Sequence, residues 1–353
     1  MPANETTMPA LRKAGPHPGV ELARVPLPDA PGPGQVIVEV AAAGICGSDL
    51  HIDEWTPSYA FLTPGLPVTL GHEFAGTISA VGPNVTNWRI GDPVAVKPSA
   101  ACGTCHHCRA DRPDDCTRRR AIGLQDNGGF APFVTCPATQ LLALPPGLDP
   151  TLGALVEPLS ICANAVANGE VRPGHRVVVF GPGTIGQGIA LFARRAGADV
   201  TIVGLNDAPR FAVLRALGFE NPIDLAAPDG PARLRDAAGD GFDIAFEAAG
   251  SPAAVRTALS ILRLRGTMVA AGIHADTVPT DLTQVARREL RIQGTARGND
   301  AIWRHTIAVL AETPELFARM VTHRLPLTQA LEGFAAGHRR EASKVLLLPA
   351  AST

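Results

Sequence analysis

The sequence predicts an α/β protein in two parts, a strand-rich first half and a doubly wound parallel sheet, and three features predict it. Between about residues 170 and 295, short apolar segments alternate with segments of helical period, the pattern of a parallel sheet with helices on both faces. Ahead of it, short apolar runs are separated by Gly- and Pro-rich turns, the pattern of a β domain. After it, two helical stretches lead to a terminal strand whose simplest destination is the first part, making that part discontinuous in sequence.

The elements follow in order. Strands are expected at 35–40, 74–81, 93–96 and 131–135. In the second part a strand at 176–180 runs into a glycine turn and a helix with Ile185, Ile189, Phe192, Ala193 and Ala196 at helical spacing. Further strands are expected at 200–203, 242–246, 267–271 and 290–293, helices at 301–312 and 328–336, and the terminal strand at 344–348. Residues before Met8 read as a loose extension.

Composition narrows the function. The 353 residues, 46% hydrophobic, suffice for two domains. A formal net charge of −2, with Arg118-Arg119-Arg120 the longest basic run, does not suit a phosphate backbone, so no nucleic-acid partner is expected. The first residues lack an apolar export core and no run of about eighteen apolar residues occurs, so neither secretion nor a membrane is indicated and a cytoplasmic location is expected. There thiols stay reduced, and clustered cysteines among the seven read as metal ligands rather than disulfides.

Cys102, Cys105, Cys108 and Cys116 are spaced C-x2-C-x2-C-x7-C in a polar loop at about residues 100–118. Four thiolates so placed can enclose one zinc ion tetrahedrally with no open position, a structural site. His106 and His107 lie inside the loop but are not needed to complete the shell. Cys136 and Cys162 stand alone in apolar contexts and read as core residues. A second set is dispersed over Cys46, His72 and Glu157. One thiolate, one imidazole and one carboxylate balance a catalytic zinc and leave a position for an alcohol oxygen.

Gly181-Pro182-Gly183-Thr184-Ile185-Gly186 is a G-x-G-x-x-G that follows a strand and opens a helix. Its first glycine permits the turn, its second lets the backbone approach a pyrophosphate, and its third allows close helix packing. In that context it reads as a dinucleotide site of Rossmann type.

These segments, with residues 43–49, 70–73, Glu157-Pro158-Leu159 and 321–327, resemble the zinc-containing medium-chain alcohol dehydrogenase family over almost the whole chain, and within it the sorbitol (polyol) and threonine dehydrogenase branch. The resemblance implies a GroES-like β-barrel catalytic domain at 1–160 and 298–353, and a Rossmann domain at 161–297. It implies Cys46, His72 and Glu157 as ligands of a catalytic zinc, with Glu73 as a neighbouring carboxylate that holds the metal or ligates it transiently. Where the family's alcohol dehydrogenases use a second cysteine this chain has Glu157, which points to the polyol branch. Ser48 then takes the proton of the bound hydroxyl and His51 passes it outward. Arg297 matches a position near the substrate.

The family places an acid for the adenosine ribose where this chain has Leu205. Asp207, two residues on, can serve instead, while Arg210 can alternatively face a 2′-phosphate; without a basic cluster, NAD is favoured over NADP. The expected activity interconverts a secondary alcohol, a polyol, sugar alcohol or cyclitol, and its ketone. The alternatives are an amino alcohol such as threonine, which the segment 49–55 favours, and a non-catalytic zinc and nucleotide-binding protein. A homodimer or homotetramer is expected from the resemblance.

Overall fold

The computed structural model describes residues 6–349. The expected loose extension falls mostly on residues 1–5, outside the described residues; Thr7 already stands in the strand Thr7–Lys13, opposite Pro26.

Strands predicted at 93–96, 176–180 and 344–348 are found with those bounds. The strand at 35–40 runs on to Gly44, which delivers Cys46 to the start of the helix Gly47–Glu54. The strand at 267–271 begins earlier, as Leu262–Ala270, because its pairing shifts register between Phe242 and Ile244. The helix Asp300–Glu312 is capped by Asn299, whose side chain accepts from the Ile302 N–H. The helix Val156–Asn168, which carries Glu157 in its first turn, is not among the expected elements: eight of its thirteen residues are buried, and its less buried stripe, Glu157, Ile161, Asn164 and Asn168, is narrow and interrupted by an isoleucine.

Besides the two-stranded pair of Ser99–Ala100 and Arg120–Ala121, two sheets build the first part, antiparallel except where Val321–Pro326 runs parallel to Lys344–Leu348. One orders Glu21–Pro26, Thr7–Lys13 and Val68–Thr69; the other orders Leu141–Ala143, Pro93–Val96, Glu73–Val81, Gln35–Gly44, Lys344–Leu348 and Val321–Pro326, with Phe133–Pro137 also on Gln35–Gly44. The chain's last strand therefore lies beside one of its first, with Leu346 opposite Gly44. The second part is a six-stranded parallel sheet ordered Ile223–Asp224, Asp199–Gly204, Arg176–Phe180, Phe242–Glu247, Leu262–Ala270 and Arg291–Gly294. Counted within this sheet the order is 3-2-1-4-5-6, which reverses beside Arg176–Phe180, where such sheets bind ligands at their carboxyl edge.

Both faces of that sheet are covered. Val177 and Val179 point into a core shared with the helices Val156–Asn168 and Thr184–Arg195, while Val178 and Phe180 point into a second core with Val255 and Leu259. A strand buried on both sides reads as a continuous apolar run, as Val177-Val178-Val179-Phe180 does. Among the described residues no helix is long and apolar enough to cross a membrane.

Candidate active site

The glycine turn stands at the reversal of the parallel sheet. Gly181 has φ +109°, and a Cβ there would lie 2.7 Å from the Ala248 carbonyl oxygen; a Cβ on Gly186 would lie 1.8 Å from that of Gly181. Gly183, N-cap of the helix Thr184–Arg195, faces open space. The turn thus contains two glycines required by its own backbone and one that keeps room for a visitor, which fits a pyrophosphate at a helix N-terminus. Gly186→Val is expected to destabilise the fold by about 3 kcal/mol by overpacking. Gly183→Val should leave the melting temperature near that of the parent while weakening NADH binding about tenfold or more, read by fluorescence titration. Equal effects of the two substitutions would contradict this division of roles. The Thr184 hydroxyl donates to the Ser343 carbonyl (2.8 Å), and the Ile185 carbonyl accepts from the Cys162 thiol (3.3 Å), so both residues tie the helix to its neighbours.

Cys46, His72 and Glu73 each offer a ligand atom within 4.8 Å of the others. Three strand ends bring them together. Cys46 follows Gln35–Gly44, Glu73 begins the next strand directly opposite Gly44, and Lys344 begins the terminal strand. His72 is presented by Gly71, whose φ of +95° and contact with Phe130 leave no room for a side chain. Asp49 fixes the group from below: one carboxylate oxygen accepts from the Cys46 N–H (2.9 Å) and the other lies 3.7 Å from His72 Nδ1. Such a carboxylate behind an imidazole orients metal ligands.

Glu157 is not one of the three. Its carboxylate faces the same charges from the helix Val156–Asn168 but lies outside the 4.8 Å set, and Glu73 takes the near position. The like charge of Glu73 opposes Glu157, whereas Lys344 holds Glu73 through a buried ion pair at 2.6 Å. Burial pushes Glu157 up to about 7 against the pull of His72 and Lys344. The Cys46 thiol is raised by burial and by Glu73. Burial works against charge on His72, but Asp49 and Cys46 outweigh it and raise its pKa well above the ordinary value. Cys46, Asp49, Glu73 and Glu157 thus face one enclosed space with Lys344 as their lysine counter-charge. A soft thiolate, an imidazole and a carboxylate in that electrostatic setting fit a divalent zinc ion.

Burial raises the pKa of the Tyr59 hydroxyl, outweighing the downward pull of Ser48 beside it. The His51 ring stacks on Tyr59 with centroids 6.1 Å apart, and Glu54 lies 3.9 Å from its Nδ1. Tyr59, the chain's single tyrosine, thus touches both residues expected to move the proton.

Asp207 is not displayed at the strand tip. It is 3% exposed, N-caps the helix Ala208–Ala216, and pairs with Arg210 at 3.2 Å; the exposed tip residue is Leu205. Arg210 is committed in turn, donating to Asp207 and to the Ala342 carbonyl (2.9 Å). A cleft lined by Cys46, Glu73, Gly183, Thr184, Arg210, Ser343 and Lys344 joins the glycine turn to the metal-ligand cluster.

Glu157 also lines a separate polar cavity of about 360 Å³, with Arg297 in the same lining. Glu157 owes its remaining exposure to this space. Asn164 and Asn168 donate their amide N–H groups to the Thr295 hydroxyl (2.9 and 3.2 Å), which leaves both amide oxygens as acceptors.

The four cysteines of the lobe come together as their spacing predicts. Their sulfurs stand 3.4 Å (Cys105–Cys108), 3.8 Å (Cys105–Cys116) and 4.0 Å (Cys102–Cys108) apart, close to the roughly 3.8 Å edge of a tetrahedron with 2.3 Å zinc–sulfur bonds. A backbone N–H from Thr104 helps pull the Cys102 thiol down to about 5, favouring the thiolate a cation needs. Cys136 and Cys162 are core residues, 1% and 0% exposed.

Sequence reasoning missed Tyr59, Lys344, Asn164 and Thr295 as site residues. A lone lysine opening an apolar strand that returns to the first sheet was the one legible hint, for Lys344.

Residues 32–146 match the family described as "Alcohol dehydrogenase GroES-like domain", and residues 184–312 match "Zinc-binding dehydrogenase". The chain is similar to an L-threonine 3-dehydrogenase of Saccharopolyspora erythraea, 33% identical over 96% of this chain and 98% of that one. It is also similar to a sorbitol dehydrogenase of Halalkalibacterium halodurans, 32% identical over 90% and 93% of the two chains. A solved zinc-binding dehydrogenase of Sinorhizobium meliloti 1021 bound to NADP superposes with TM-score 0.82 at 30% identity, covering 98% of this chain and all of the other (100%).

Proposed function

Because the chain belongs to the zinc-dependent medium-chain alcohol dehydrogenase family, and is an enzyme with a GroES-like and a Rossmann-type part that uses zinc and NAD(P), we propose that it interconverts a polyol, sugar alcohol or cyclitol and the corresponding ketone. The observation that carries this reading is the Cys46, His72 and Glu73 cluster beside the glycine-turn cleft, with Glu157 lining a cavity walled by hydrogen-bonding groups. Buried polar groups discriminate strongly in favour of a substrate with matching hydroxyls.

Zinc, held by Cys46 and His72 with Glu157 or Glu73, supplies a Lewis acid that lowers the pKa of a substrate hydroxyl. Ser48 Oγ receives that proton, and His51, half-exposed on the same helix, delivers it to solvent. Tyr59 stands beside Ser48 and stacks on the His51 ring, keeping the two side by side. Lys344 holds Glu73 in place through their buried contact, and Arg297 lines the cavity. Cys102, Cys105, Cys108 and Cys116 hold a second, structural zinc. The domains divide as 1–160 with 298–353, and 161–297, a division supported by the return of Lys344–Leu348 to the first sheet.

The Gly181, Gly183 and Gly186 turn binds the dinucleotide. NAD is favoured, since Arg210 is engaged by Asp207 and Ala342 and the Asp224 carboxylate accepts from the Asn206 N–H beside the strand tip. We place the protein in the cytoplasm as a homodimer or homotetramer. The open edge of the parallel sheet at Arg291–Gly294, with Ile292, Leu264, Ile273 and Leu282 exposed on or near the last two strands, supports self-association.

The test is a panel of polyols, cyclitols and L-threonine crossed with NAD and NADP. Polyol turnover with NAD at kcat/KM about tenfold or more above threonine is expected, by the cost of leaving buried polar groups unpaired. Turnover of threonine alone would transfer the assignment to the second reading, which the 33% identical relative favours. A large preference for NADP would overturn the cofactor assignment.

A further inference from the structure

The polar cavity beside Glu157 carries more positive charge than a neutral polyol needs. Its lining includes Lys97, Arg119 and Arg297, against Asp114 and Glu157. Lys97 is matched by an ion pair to Asp300, and Glu157 faces the charges of His72 and Lys344. Among the described residues the two guanidiniums have no carboxylate partner. Arg119 donates only to neutral acceptors, the Ser99 carbonyl (3.1 Å), the Ser99 hydroxyl (3.5 Å) and the Pro113 carbonyl, and its Nε is buried with no partner. Arg297 has no hydrogen bond or ion pair among the described residues, and Asp114 lies exposed on the short turn Pro113–Asp115. A guanidinium offers a planar fork that matches a carboxylate or phosphate and is poorly used on a hydroxyl.

We propose that the substrate is an acid-bearing polyol: its reacting hydroxyl lies at the Glu157 end of the cavity, and a terminal carboxylate or phosphate is held by Arg297 and Arg119. A volume of about 360 Å³ suits a small open-chain sugar acid or sugar phosphate. The four-cysteine lobe then has a part in recognition, because Arg119 follows its last ligand, Cys116, by three residues. The proposal rests on the polyol reading and sharpens it.

The experiment compares matched sets of one configuration: a neutral polyol, its terminal aldonate and its terminal phosphate, assayed with the parent enzyme and with Arg297→Met. At least one anionic member should exceed the neutral one in kcat/KM about tenfold, and the substitution should remove most of that advantage through KM, costing the anionic member several-fold more than the neutral one. Calorimetry of aldonate and polyol phosphate binding should show the same loss, and the two arms distinguish carboxylate from phosphate. Arg119→Met, which also loosens the lobe, is read only beside Arg297→Met. Parity or preference for the neutral polyol, or equal losses on charged and neutral members, overturns the anionic assignment and leaves the polyol reading standing. No turnover of any member overturns both.

Discussion

Cys46→Ala is expected to lower kcat/KM by roughly 10³-fold or more, equivalent to about 4 kcal/mol of transition-state stabilisation, with the fold retained. The thiolate is the soft member of a set that otherwise holds an imidazole and carboxylates, one of them already bound to Lys344. Removing it leaves His72 and Glu73 too few to grip a divalent ion, so bound zinc should fall from two ions per chain to one. Cys136→Ala, at a core position 1% exposed, is the control and should change neither zinc content nor turnover appreciably. Activity of Cys46→Ala within about tenfold of the parent would mean that the thiolate is no ligand, since even residues behind metal ligands are worth that much.

Cys105→Ala should act on stability. The loop around the four cysteines has little to hold it besides sulfur: a four-residue helix, His106–Arg109, a three-residue turn, Pro113–Asp115, and, between Cys102 and Cys116, Cys105 and Cys116 as its buried hydrophobic side chains. A segment without an apolar core depends on its metal for structure. The substitution is expected to release one zinc, lower the melting temperature by about 5 °C or more, and open residues 101–119 to proteolysis. Because Arg119 ties this loop to Ser99 at the cavity wall, substrate KM should rise as well. An unchanged melting temperature and intact zinc content would remove the structural role from the lobe.

What could be read in the sequence was what is local. Strand 176–180 was legible because burial on both faces makes a continuous apolar run, and the glycine turn because its constraints fall within six residues. The four cysteines were legible for the same reason. The helix Val156–Asn168 was not, since most of it is buried and its polar stripe is reduced to Glu157, Asn164 and Asn168 with Ile161 between them. The carboxylate nearest Cys46 and His72 was not either. The family resemblance implied both Glu73 and Glu157 near the metal-ligand set, but their ranking depends on Lys344, 271 residues from Glu73 in sequence and brought to it by the pairing of the terminal strand with Gln35–Gly44. Asp207 illustrates the opposite error: a carboxylate close to the expected position in sequence is turned inward by its place as N-cap, and Leu205 holds the exposed tip.

The account centres on one shared cation at Cys46 and His72, and anomalous diffraction at the zinc absorption edge tests it most directly. Two peaks per chain are predicted, one within the four-cysteine loop and one bounded by Cys46 Sγ, a His72 ring nitrogen and an oxygen of Glu157 or Glu73. A single peak in the four-cysteine loop, with Cys46 and His72 joined by no metal in zinc-saturated crystals, would contradict it.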